Sequence, residues 1–189
     1  MNFLPQFEIS ISNAFWFSLL FIATNILILN LYPSHYKKRV LTMPGFKNQF
    51  QQIVGILNFF LFQGLIMIVI FIPLKFQWLT FGIGITMFDI GYISYVISLI
   101  NYATTNPDKP VTKGIYKFSR NPQQLATIIM WIGISFMTSC LFIVVLCLIQ
   151  LITIYPTFIA QEKFCIEKYG AAYIDYMTET PRYIIKKNF

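Results

Sequence analysis

Long apolar runs separated by short polar, basic segments organise this chain. Asn13–Tyr32 is the first run long enough to cross a bilayer, and Pro33 closes it. A basic loop with Lys37, Lys38, Arg39 and Lys47 follows and turns at Pro44-Gly45. Ile53–Ile72 is the second run, ended by Pro73. A connection holding only Lys75 leads to the third, Phe76–Ile100. The polar segment Asn101–Gln124 comes next. Leu125–Ala160 then runs without a single charge, too long for one span. A break at Thr138-Ser139-Cys140 predicts a helical hairpin with a short turn. The tail, 161–189, is polar again. The expectation is an all-α polytopic membrane protein, one integral membrane domain over 1–189. Its five transmembrane helices fall at about 13–32, 53–72, 76–100, 123–137 and 141–160, and a short cytosolic C-terminal helical segment follows.

Charge placement sets the expected orientation. With five spans, every basic residue except Lys75 falls on one side, which the positive-inside rule makes cytoplasmic. The N-terminus is then outside and the C-terminus inside. Were the hairpin one long helix, Lys163, Lys168, Arg182, Lys186 and Lys187 would be stranded outside. The last span continues beyond the bilayer as a stripe of Tyr155, Phe158, Ile159, Glu162, Cys165, Ile166 and Tyr169, with a kink expected at Pro156 and a stop at Gly170. A second short helix, Ala171–Met177, carries Tyr173 and Tyr176 towards Pro181-Arg182.

Composition narrows the classes. The chain is 57% hydrophobic and 11% charged, with a mean hydropathy of +0.64, a surplus no soluble core of 189 residues absorbs. The net charge of +7 sits in short loops, which fits membrane topology rather than nucleic-acid binding. Phe3–Ile11 lacks the basic start of a signal peptide, so the first run is read as a retained helix. Three cysteines, two of them within an apolar run, form no disulfide framework. His35 is the sole histidine, which argues against haem, zinc and di-iron sites; no metal is expected.

The candidate chemistry lies at Lys113–Gln124, KGIYKFSRNPQQ. Asn121 is placed as an N-cap and Pro122 as the first helical residue. The open N–H groups of that helix mouth suit a carboxylate or phosphate, with Arg120 just before it. The hairpin sets Arg120 and Asn121 beside Gln161 and Glu162. The residues alone leave two readings open: a site for a small charged ligand, or a Glu162–Arg120 ion pair that staples two helices. Asp89, within the third span, serves either ligand chemistry or a hydrogen bond to Asn58, Gln63 or a Ser/Thr. Gly82-Ile83-Gly84 reads as close helix packing.

Gly114-x-Tyr116-x-x-x-Arg120-x-Pro122, followed by Glu162 and then Tyr169-Gly170-x-x-Tyr173-x-x-Tyr176-x-x-x-x-Pro181-Arg182, resembles the isoprenylcysteine carboxyl methyltransferase family. Phospholipid N-methyltransferases share related motifs. The likeness covers Asn101 to Arg182. It implies an S-adenosylmethionine-dependent enzyme without a Rossmann domain. The methyl would go to a lipophilic or membrane-embedded acceptor, whether a lipophilic small molecule, a lipid-modified substrate or a membrane lipid. By position, the cofactor would be held by Asn101, Asp108, Lys109, Pro110, Val111, Tyr116, Asn121, Pro122, Gln123, Gln124, Gln161 and Glu162. Arg120 and Glu162 would be the catalytic pair, Glu162 taking the proton of an amine acceptor. The chain departs from the pattern: Asn121 replaces a His, Gln124 a Tyr, Ala126 a Gly, Gln161 a Glu, and Thr157 an Arg found in enzymes that act on prenylcysteine carboxylate. Two other classes stay in view. Glu162-x-x-Cys165-x-x-Lys168-Tyr169-Gly170 is similar to the end of NADPH-dependent sterol reductases, and an inactive relative would serve as a membrane interaction protein.

Overall fold

The helices follow the apolar runs closely. In the computed structural model α1 is Phe15–Leu31, α2 Gln49–Val69, α3 Trp78–Ala103, α4 Pro122–Thr138, α5 Leu141–Thr153, α6 Tyr155–Tyr169 and α7 Ala171–Glu179, with a 3-10 turn at Gly114–Lys117. The structure describes residues 4–5, 7–32, 37, 39 and 49–184. The expected stop at Pro33, the turn at Pro44-Gly45, His35, and Lys38, Lys47, Lys186 and Lys187 lie outside the described residues. No strand occurs among the described residues. An isolated bridge pairs Asn13 with Pro73 and ties the segment before α1 to the α2–α3 connection.

Among the described residues, three helical stretches are long and apolar enough to cross a membrane: α2, α3, and α5 with α6 taken together as Leu141–Tyr169. α1 is apolar but shorter. The expected break in the uncharged run is present. α4 ends at Thr138, Ser139 adopts a left-handed conformation (φ 51°), and α5 begins at Leu141. The passage from α5 to α6 is barely an interruption: Ile154 keeps right-handed helical dihedrals, and Pro156 sits in the first turn of α6, where its missing N–H costs no hydrogen bond. Gly170 ends α6 with φ 58°, a conformation that favours glycine, and its N–H bonds to the Ile166 carbonyl.

α3 and α4 form the tightest pair because small residues face each other. A Cβ on Gly133 would lie 2.6 Å from the Gly84 carbonyl oxygen and 2.7 Å from the Phe88 nitrogen. A Cβ on Gly91 would come within 2.8 Å of the Ala126 carbonyl. Without a hydrophobic force between helices in lipid, such close approach is what makes their packing favourable. Gly84 therefore fulfils the packing expectation. Gly82 does not, for nothing lies within 4 Å of the site of its Cβ. Phe21, Phe62, Tyr95 and Trp131 fill the centre between α1, α2, α3 and α4.

Asp89 faces outward from α3 beside the exposed Ile90 and Ile93, away from the interior. Its expected partner Asn58 is engaged elsewhere: the Asn58 amide donates to the Gln150 carbonyl (3.2 Å) and the Thr153 hydroxyl (3.0 Å), tying α2 to α5.

Candidate functional site

α4 opens as the sequence predicts, with Asn121 before it and Pro122 in its first turn. The first main-chain bond back to the cap runs from Leu125 to the Asn121 carbonyl (3.3 Å). The N–H groups of Gln123 and Gln124 precede that bond and so lack an intrahelical acceptor. The expected capping by the Asn121 side chain is corrected, because its amide donates instead to the Arg182 carbonyl (3.1 Å). That carbonyl also receives the Ser119 hydroxyl (3.1 Å), and the Arg120 N–H donates to the Pro181 carbonyl (3.0 Å). The chain after α7 is thus strapped across the mouth of α4. The Tyr176 hydroxyl adds a bond to the Tyr116 carbonyl (2.6 Å), fixing the 3-10 turn against α7.

Glu162 sits under this strap and is only 6% exposed. Arg182 donates to both carboxylate oxygens, Nε to Oε1 at 2.8 Å and Nη2 to Oε2 at 2.6 Å. Arg120 approaches from the other side, its Nη1 3.4 Å from Oε1, near enough for charge attraction but outside hydrogen-bond geometry. The sequence placed Arg120 next to Glu162, and the structure brings them together. It adds Arg182 as the closer partner. Two guanidiniums against one carboxylate leave a positive excess, and Arg120 Nε and Nη1 are buried without a hydrogen-bond acceptor. The hydrogen bond from Arg182 to Glu162 raises the Arg182 guanidinium above its ordinary range. Burial raises the Tyr173 and Tyr176 hydroxyls likewise, which keeps both protonated.

A cavity of about 840 Å³ lies against this cluster. Its polar end is formed by Pro110, Val111, Tyr116, Arg120, Asn121, Pro122, Gln123, Gln124, Gln161 and Glu162, all singled out from the sequence. Its apolar end is formed by Ile56, Phe59, Phe60 and Phe62 of α2 with Ile154 and Phe158 opposite. Gln124 Nε2 and Thr157 Oγ1, both from residues on the wall, are buried without partners, as are the two Arg120 nitrogens. Unpaired buried donors beside a hollow are what a polar ligand would satisfy. The set fits an amino-acid-bearing nucleoside: a helix mouth and a guanidinium for a carboxylate, amide and hydroxyl groups for polar edges, and room for a ring system.

Three of the residues predicted for the site are not on the cavity wall: Asn101, Asp108 and Lys109. Asn101 stands behind the 3-10 turn, its amide filling the space where a Cβ on Gly114 would go. Gly114 has φ 59°, so the turn needs glycine for both room and conformation. Asp108 and Lys109 belong to a loop held by Arg39, which itself lines the cavity. That guanidinium donates to the carbonyls of Asn106 (2.5 Å) and Lys109 (2.7 Å) and lies over the Tyr102 ring.

Sequence reasoning missed Arg39, Asn58, Gln150 and the Glu162–Arg182 fork. Asn58 and Gln150 carried a local signal, each a carboxamide inside a largely apolar span. Among the described residues there is no group of three or more His, Cys, Asp and Glu side chains able to hold a metal ion.

A family model described as phospholipid methyltransferase matches residues 51–172, from the start of α2 to the start of α7. No curated protein and no solved structure gave a significant match.

Proposed function

The chain belongs to the phospholipid methyltransferase family and is an integral membrane methyltransferase; on that premise we propose that it moves a methyl group from S-adenosylmethionine to a lipid acceptor held in the same cavity. The observation that carries this reading is the cavity of about 840 Å³, charged and hydrogen-bonding at one end and lined by Phe59, Phe60 and Ile56 at the other. A polar cofactor and a lipid chain need those two environments joined. The cofactor, when bound, supplies an electrophilic methyl on a sulfonium.

The chain's own residues do the rest. The N–H groups of Gln123 and Gln124, with Arg120, hold the cofactor's carboxylate. Pro110, Val111 and Tyr116 flank its nucleoside, and Gln124, Thr157 and Gln161 take its polar edges. Glu162, gripped by Arg182, serves as the buried anion that fixes both guanidiniums. With both oxygens already accepting N–H groups, it is better suited to that task than to proton abstraction. The α2 side chains receive the acceptor's hydrocarbon and keep water from the reacting centre, so alignment and dehydration lower the barrier.

We also assign the single domain five membrane crossings, with the polar end of the cavity in the cytosol and the N-terminus outside, from the one-sided distribution of Lys and Arg. The cofactor then enters from the cytosol and the acceptor from the bilayer.

Titration of the purified protein with S-adenosylhomocysteine tests the reading. Saturable binding is expected, weakened about tenfold or more in Arg120→Ala, since a charge-assisted contact is lost. Absence of binding in folded protein at ligand of roughly millimolar concentration, where only very weak complexes fail to form, overturns it. So does preferential binding of NADPH, which would favour a reductase.

A further inference from the structure

Asp89 takes no part in the cavity or its closure, and its place in the fold is a costly one. α3 is long and apolar enough to cross a membrane. Asp89 lies between its two ends, Trp78 and Ala103, at about 17 and 21 Å from them along the helix axis. That puts the carboxyl near the middle of the bilayer. It is exposed beside Ile83, Ile90, Ile93 and Ile97, and its side chain has no hydrogen bond or ion pair among the described residues. Thr86, one turn earlier, is at ease in lipid because its hydroxyl donates to the Gly82 carbonyl at 2.8 Å. Ionisable side chains within membrane spans almost always face a bundle interior or a water-filled cavity, where they meet a partner. Asp89 faces neither, so the interior it needs comes from outside the chain.

The surrounding face suits a close contact between helices. Gly82, Thr86, Asp89 and Ile93 recur at helical spacing on the exposed side of α3, and nothing lies within 4 Å of the site of a Cβ on Gly82. The opposite side, with Gly84 and Gly91, is already taken by α4. Charge decides the occupant. Helices α1 to α5 contain no Lys or Arg, so a second copy brings no cation to the depth of Asp89 and sets one carboxyl against another. A foreign helix with a basic residue at mid-span supplies the missing charge, and attraction in lipid is only weakly screened.

We propose that the outer face of α3 around Asp89 docks a transmembrane helix of another protein, one carrying a Lys or Arg near the middle of its span. This interaction surface is separate from the cavity and does not depend on the methyltransferase reading.

The test uses the full chain, fluorescently labelled, in phosphatidylcholine vesicles. Two synthetic leucine helices of about twenty residues with identical ends are titrated in, one with a central Lys and one with leucine throughout. Energy transfer reads association. The Lys helix is expected to bind about fivefold to tenfold more tightly, the scale of one strong polar contact between helices in lipid. Asp89→Leu is expected to bring that preference below about twofold, with a melting temperature unchanged or raised because a lipid-facing carboxyl has gone. Gly82→Leu fills the docking face while keeping Asp89, and should weaken the Lys helix by about threefold or more. Equal binding of the two helices by wild type overturns the inference. So does a preference that survives Asp89→Leu, unchanged binding in Gly82→Leu, or a lower melting temperature in Asp89→Leu, which would mark a partner inside the fold. Asp89-dependent association between two differently labelled copies would assign the face to a second copy and overturns it as well. S-adenosylhomocysteine titration of the same samples bears on the enzyme alone: its failure removes the methyltransferase reading and leaves the docking face standing.

Discussion

Arg182 holds Glu162 by both oxygens, at 2.8 and 2.6 Å, from 20 residues further along the chain. Gly170 turns the chain back so that α7 returns the guanidinium to the carboxylate it started beside. The pair is largely buried, 21% and 8% exposed at the side chains, so its two halves are not independent.

Removing both partners should cost less than the sum of removing each alone. Arg182→Ala strands Glu162 with Arg120 alone and is expected to destabilise by about 2–3 kcal/mol. Arg182→Lys keeps the charge without the fork and should cost about half as much. The double variant Glu162→Gln with Arg182→Gln should be milder than the sum of its singles. Thermal unfolding in detergent, run as a double-mutant cycle, reads the difference.

The contact between α3 and α4 makes a sharp contrast between two glycines. Gly133→Ala pushes a methyl into the main chain of Gly84 and Phe88 and should cost about 2–3 kcal/mol as the helices part. Gly82→Ala meets open space and should be neutral or stabilising by up to roughly 1 kcal/mol. Melting temperatures of the two variants check this directly.

Arg39 organises the loop before the 3-10 turn by binding its carbonyls. Arg39→Ala is expected to weaken S-adenosylhomocysteine binding about tenfold, with a smaller effect on melting temperature, because the loop carrying Pro110 and Val111 loses its support. Arg39→Lys should recover part of the affinity. Calorimetric titration of both variants separates positioning from collapse.

Alkaline pH should loosen α7. Burial raises Tyr173 and Tyr176 above the ordinary value of 10.0, so the unfolded chain loses these protons first. The stabilisation they confer is complete below pH 10 and declines as pH rises beyond it. Tyr173→Phe should flatten that decline by one proton's worth, read as the slope of unfolding free energy against pH. The sign is fixed: stability falls, and does not rise, with pH in that window.

The elements were legible because lipid-facing helices are written as uninterrupted apolar runs; the Ser139 break and the Gly170 stop were visible as local composition. The polar half of the cavity was legible for the same reason, since Arg120–Gln124 and Gln161–Glu162 are brought together by a hairpin whose turn is short. Arg39 and Arg182 were not, because they reach the site through tertiary packing from loops and tails whose sequence carries no period. Asn101 stands off the cavity wall for a related reason: position along α3 does not reveal that its amide packs against Gly114. Gln150 is a single uncharged polar residue in an apolar run, and the sequence alone does not show which face of α5 it occupies.

The strap formed by Pro181 and Arg182 fixes when this protein becomes competent during its synthesis. The apolar helices α1 to α5 all precede it, so they can be inserted while the wall beside Glu162 is still missing its closing piece. A nascent chain released before residue 182 would carry a buried carboxylate with one distant counter-ion and an untethered mouth to α4. Closure of the polar end is thus tied to the Pro181–Arg182 segment, without which Glu162 keeps only the more distant guanidinium of Arg120.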